Sequence, residues 1–128
     1  QLSRLAESDD RYDREVDRRQ VEMALSHDSC VLGSRLAIWM LKDADLKIFL
    51  DASIEERSRR IVRREGGSLE ARMAETSDRD RRDSARYQRL YGIDNNDTSI
   101  ADLVIDTTAL NAQAVAALII EEVRRREA

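Results

Sequence analysis

The runs Leu46-Lys47-Ile48-Phe49-Leu50 and Leu103-Val104-Ile105-Asp106 constrain the fold more than any other feature of this chain. Each is short and rich in branched or aromatic residues, the composition of a pleated, half-buried strand. They are separated by a long stretch of helical periodicity, so they do not make a hairpin; a parallel pair with a helical crossover is what remains. Ser29-Cys30-Val31-Leu32, closed by Gly33-Ser34, reads as a third short strand. Strands alternating with helices imply an α/β fold, a three-layer α/β/α arrangement in which helices cover both faces of a parallel sheet. Three strands make a small sheet, and the chain opens on Gln1 rather than methionine, so the expectation is that one or two strands precede it.

The helices between these strands carry recognisable starts and stops. Residues 12–27 place Val16, Gln20, Met23 and His27 at helical spacing, with Val21, Ala24 and Leu25 beside them. Residues 36–41 form a compact apolar turn or helix carrying Trp39. Ser53 followed by Glu56 has the spacing of a capping box, and the helix it opens passes Ile61 and Val62 to stop at Gly66-Gly67. Ser68 can cap the next helix, which passes Leu69, Met73 and Ala74 and ends near Gly92. Residues 94–99 are polar loop, and Asn111 opens a last helix with Val115, Leu118, Ile119 and Val123 on one face. At 128 residues, with no repeat and no proline to mark a linker, the chain is one domain or part of one.

Composition removes several function classes. A net charge of −4 argues against bulk attraction to nucleic acid or anionic lipid, and no apolar run is long enough to span a bilayer. No basic stretch followed by an apolar one stands at the beginning, and the single Cys30 excludes an internal disulfide, so a cytoplasmic setting is expected.

The densest charge lies in Asp78-Arg79-Asp80-Arg81-Arg82-Asp83-Ser84-Ala85-Arg86-Tyr87. As a helix it puts Arg79, Asp83 and Arg86 on one face, two guanidinium forks flanking a carboxylate. Such a set suits a phosphorylated, hydroxyl-bearing ligand, since guanidinium is bidentate toward phosphate and an ionised carboxylate accepts from two ribose hydroxyls. A solvated helix laced with pairs such as Asp78 with Arg82 and Asp83 with Arg79 is the plainer reading, and spacing alone favours it.

Order along the chain changes that preference. Phe49-Leu50-Asp51-Ala52-Ser53, then Glu55, Glu56, Arg57 and Arg60, then Arg79, Asp83 and Arg86, then residues 102–107 with a closing helix, resemble the carboxyl-terminal two thirds of a cytidylate kinase. Asp17-Arg18-Arg19-Gln20, Arg35-Leu36-Ala37 with Trp39-Met40, Arg86-Tyr87, Tyr91-Gly92-Ile93-Asp94, and Asp97 with Ser99-Ile100 are similar to segments of the archaeal-type branch. The resemblance implies a P-loop nucleoside monophosphate kinase that moves the γ-phosphoryl group of ATP to CMP or dCMP with Mg²⁺, monomeric and without nucleic-acid or membrane partners. It implies that Arg79 contacts the transferring phosphate from a mobile lid spanning about residues 60–86. By the same resemblance Asp83 holds the CMP ribose, Arg86 binds the CMP side, Arg35 grips the acceptor phosphate and Arg60 faces the ATP, with Arg57 and Arg64 as competitors for that last role. No metal ligand is assigned.

Two departures stand out. The family usually has an acidic residue and a glycine before the arginine, where this chain has Gly33-Ser34-Arg35, and Ile38 stands where the archaeal branch tends to have glycine. No G-x-x-x-x-G-K-[ST] occurs, so the backbone nest for the β-phosphate, the lysine for the γ-phosphate and the hydroxyl for Mg²⁺ are not in these residues. The chain is therefore expected to be a fragment, inactive alone. The alternatives left open are a related nucleotide or small-molecule kinase with another acceptor, and a catalytically silent homologue that binds nucleotide or a partner chain.

Other tempting residues have plainer readings. His27, the one histidine, suits a helix-end surface position; Cys30 suits a small core position; Trp39 and Met40 suit packing rather than base stacking. Arg124-Arg125-Arg126 fits the negative end of a helix dipole, and Asp51 a strand-end turn as well as a site edge.

Overall fold

The computed structural model describes residues 10–127. In chain order these form α1 (Asp10–Leu25), α2 (Ala37–Met40), β1 (Ile48–Asp51), α3 (Ile54–Glu65), α4 (Leu69–Tyr91), β2 (Leu103–Asp106) and α5 (Ala112–Glu127). The two short branched runs are strands, paired in parallel with Ile48 opposite Leu103 and Asp51 opposite Asp106. Both ends of the ladder are pinned. The Lys47 carbonyl accepts from the Asp102 amide (2.7 Å) while the Lys47 amide donates to Asp102 Oδ2 (2.8 Å). At the far end the Thr107 amide (2.7 Å) and hydroxyl (2.8 Å) both donate to the Asp51 carbonyl.

The crossover between the strands is α3 and α4, whose limits follow from their caps. Ser53 Oγ accepts from the Glu56 amide at 3.1 Å, starting α3. Glu56 does not return the bond as a full capping box would; its carboxylate takes Arg60 and Arg63 instead. Ser68 Oγ accepts from the Ala71 amide at 3.1 Å, starting α4, which runs 23 residues. Gly92 ends it at φ 64°, a left-handed position that a side chain resists, with its amide donating to the Gln88 carbonyl at 2.9 Å. Asn111 Oδ1 accepts from the Ala114 amide at 2.8 Å, so the last helix starts where its cap was expected.

The expected strand at Ser29-Cys30-Val31-Leu32 is not formed. Those residues are irregular, Val31 is fully exposed, and among the described residues the sheet has two strands. Strand preference reflects packing on a neighbouring pleat, and a four-residue run with no adjacent strand gains nothing from it. Cys30 is correspondingly exposed, not a core residue, with its thiol 3.5 Å from the Ala24 carbonyl.

The architecture is thus mixed α/β with a small parallel sheet. Its buried apolar residues, Ala24, Leu36, Ile38, Tyr87 and Ile105, join α1, α2, α4 and β2, and Trp39 meets Phe49 edge-to-face at 6.0 Å and 73°. The face expected on α5 is only half covered: Val115 and Ile119 are partly buried while Leu118 and Val123 remain about two-fifths exposed. Buried polar residues matter as much as apolar ones here: Asp13, Ser58, Thr76, Asp83 and Thr107 are all buried. Among the described residues no helix is long and apolar enough to cross a membrane.

Candidate functional site

Buried carboxylates must be paired or neutralised, because desolvation penalises an isolated charge by several kcal/mol. Asp83, on the inward side of α4, satisfies this with two guanidinium groups. It accepts a hydrogen bond from Arg35 Nη1, which comes from the segment just before α2, and its other oxygen lies 3.2 Å from Arg86 Nη2, one turn along α4. Arg86 Nε then lies 3.4 Å from Asp13 Oδ2 on α1. The result is a ladder of alternating charge, Arg35, Asp83, Arg86, Asp13, assembled from three separate segments. The Arg86 guanidinium also stands 5.2 Å from the Tyr87 ring centroid, over its face.

Exposure grades along this ladder. The side chains of Asp83, Arg86 and Asp13 are 11, 15 and 10% exposed, whereas Arg35 is 53% exposed. Arg35 is therefore the end at which a ligand anion can be met, and the other three groups form a fixed, low-dielectric floor behind it. Tyr87 and Tyr91 line the same helix. Burial pushes the Tyr87 phenol up, with the Asp83 charge adding to the effect. Burial pushes Tyr91 up as well, helped by the hydrogen bond its hydroxyl donates to Asp17 Oδ2 on α1.

Arg35, Asp83 and Arg86 are thus brought together, and Arg79 stands apart from them. It is exposed, one turn before Asp83, and makes no ion pair among the described residues; the anticipated Asp83 to Arg79 pair is replaced by the two pairs just described. Asp78 does pair with Arg82 at 3.6 Å and more closely with Arg81 at 2.6 Å. Arg60 is turned to the carboxyl end of β2: Nη2 donates to the Thr107 carbonyl (2.6 Å), Nη1 to its hydroxyl (3.2 Å), and Nε to Glu56 (3.0 Å). Arg57 is held by both Asp80 oxygens, at 3.1 and 2.7 Å, and Arg64 pairs with Glu65. Asp13 is the participant that residue reading missed. Its only sequence signal is a four-residue spacing from Asp17, which puts both acids on one face of α1.

The lesser candidates resolve simply. His27 is exposed at the end of α1 and bonded to the Met23 carbonyl, and Trp39 packs on Phe49. Ser34 Oγ donates to Gln20 Oε1 at 3.0 Å, so the unusual residue before Arg35 ties that segment to α1; a Cβ on Gly33 would meet open space. Among the described residues no three His, Cys, Asp or Glu side chains could hold a metal ion.

Residues 2–109 match the cytidylate kinase-like family. The chain is 46% identical over 119 residues to a cytidylate kinase of Pyrococcus abyssi, covering 93% of this chain and 65% of the relative. Against a cytidylate kinase of Natronomonas pharaonis it is 42% identical, covering 93% of this chain and 62% of that protein, and against one of Aeropyrum pernix 42% identical, covering 98% and 73%. The chain therefore spans less than two thirds of the length of the Pyrococcus and Natronomonas relatives.

Proposed function

Since the chain belongs to the cytidylate kinase-like family, we propose that the protein transfers the γ-phosphoryl group of ATP to CMP or dCMP, and that the ladder of Arg35, Asp83 and Arg86 is its acceptor-nucleotide site. The observation that carries this reading is the union of Arg35 and Asp83, 48 residues apart, with the guanidinium half exposed and the carboxylate buried. A phosphate dianion competes well for such a guanidinium, because it offers bidentate, charge-assisted bonds. Arg35 exchanges Asp83 for the acceptor phosphate, and the freed carboxylate accepts from the sugar hydroxyls. Arg86 keeps its contact with Asp13 throughout and presents its remaining N–H groups to the acceptor.

Arg79 is the arginine best placed to arrive late. It is exposed and unpaired among the described residues, in the middle of α4 and well past the Gly66-Gly67 turn that joins α3 to α4, where φ is 83° and 92°. Closure of a lid of about residues 60–86, pivoting at its Asp83–Arg86 end where α4 is tied to α1, brings its charge to the transferring phosphoryl group, where positioning and electrostatics supply most of the catalysis. Arg60 serves the ATP side from the carboxyl ends of the strands, the usual ligand edge of a parallel sheet, as part of a three-layer P-loop-type architecture. Magnesium carried by ATP would shield phosphate charge when bound. The protein acts as a cytoplasmic monomer.

A coupled assay tests this with the protein expressed from its whole reading frame, ATP, and CMP, dCMP, UMP or AMP. CMP or dCMP turns over fastest if the reading is right. A faster UMP or AMP reaction assigns a different acceptor, and no transfer to any of the four removes the kinase reading.

A further inference from the structure

We propose that Asp13 is a positioning residue for the acceptor site: from α1 it fixes the plane of the Arg86 guanidinium so that Arg86 stays aimed when Asp83 is taken up by the acceptor. This rests on the acceptor-site reading above. Asp13 is buried, with its side chain 10% exposed, and its Oδ2 is 3.4 Å from Arg86 Nε. That contact falls on Nε, whereas Asp83 meets Nη2 at 3.2 Å, so two carboxylates hold two different nitrogens of the same guanidinium. A planar cation drawn to two carboxylates at two nitrogens has restricted rotation about its last side-chain bonds.

The consequence appears when Asp83 changes partners. With Asp83 alone, Arg86 would lose its only fixed acceptor at the moment the nucleotide binds, and its orientation would have to be re-established at an entropic cost. The contact from Asp13 persists, so Arg86 remains pre-organised. The Coulomb attraction acts in a poorly hydrated place, since neither Arg86 nor Asp13 exceeds 15% exposure.

A structural alternative is built into the same helices. Asp17, one turn along α1, accepts from the Tyr91 hydroxyl, five residues past Arg86 on α4, and this second tie also fastens α1 to α4 without touching the ladder. Asp13→Asn and Tyr91→Phe therefore separate fastening from aiming. In the whole protein, D13N raises the KM for CMP about tenfold while leaving kcat and the KM for ATP within about twofold, and Y91F leaves all three unchanged. Arg86 is followed independently through its ¹H–¹⁵Nε resonance: it is exchange-protected in wild type and Y91F, and broadened or shifted in D13N. If D13N and Y91F have the same effect on the KM for CMP, Asp13 only fastens the helix. An Arg86 resonance unchanged by D13N overturns the proposal even in a protein that phosphorylates no acceptor. Wild-type failure with CMP alongside a D13N-sensitive resonance instead removes the acceptor assignment while leaving the positioning role.

Discussion

Arg35 and Arg79 carry the same guanidinium, and their surroundings separate their tasks. Arg35 is already bonded to a buried carboxylate through one nitrogen, so in the proposed acceptor site a phosphate would compete with that partner. Arg79 is exposed and has no such competitor among the described residues, which suits a charge delivered only on closure. Replacing Arg79 with Ala should lower kcat by about 100-fold with little change in the KM for CMP, the signature of an interaction made in the transition state. A rise in KM with kcat intact would move Arg79 into ground-state acceptor binding.

Caps and clamps set the element scale, and this is where the sequence was most legible. Ser53, Ser68, Gly92 and Asn111 mark helix limits where they were expected, because each acts through backbone groups within four residues. Ser68→Ala and Gly92→Ala should each lower stability by about 1 kcal/mol in urea unfolding, the first by orphaning the Ala71 amide and the second by straining φ 64°. The residues 29–32 misled because their strand preference depends on a neighbour that the local sequence does not supply. Likewise Asp13 and the Arg57 to Asp80 clamp were not visible, since each joins helices whose packing is set by the tertiary fold. A double-mutant cycle of Arg57→Met with Asp80→Asn should give a coupling of about 1 kcal/mol, as both side chains are more than a third exposed; zero coupling would mean that the clamp does not join α3 to α4.

For the whole molecule, charge and burial combine into a pH dependence with two limbs. Glu56 is held below the ordinary carboxylate value of 4.5 chiefly by Arg63, Asp106 below 3.8 by the Thr108 hydroxyl, and Glu122 below 4.5 by Arg125. Folded values below unfolded ones contribute stability that is present above the ordinary range and lost as pH falls through the lowered values, so the melting temperature should decline from about pH 5 downward. Tyr91 and Tyr87 are shifted the other way: their contribution is complete below the ordinary phenol value of 10.0 and lost as pH rises past it. Tyr91→Phe should therefore flatten, but not abolish, the alkaline limb of a melting-temperature profile; an identical limb in the variant would mean that Tyr91 ionises equally well folded and unfolded.

The proposed acceptor site is a tertiary assembly, with Arg35, Asp83, Arg86 and Asp13 drawn from three segments around a thin apolar core of Ala24, Leu36, Ile38, Tyr87 and Ile105. Its identity as the CMP site is tested most directly by the KM for CMP of Asp83→Ala, measured with the whole protein after circular dichroism has verified the fold. The account predicts a rise of about tenfold or more, with kcat changed less, because the carboxylate that accepts from the sugar is gone. An unchanged KM for CMP in a folded Asp83→Ala variant would contradict it.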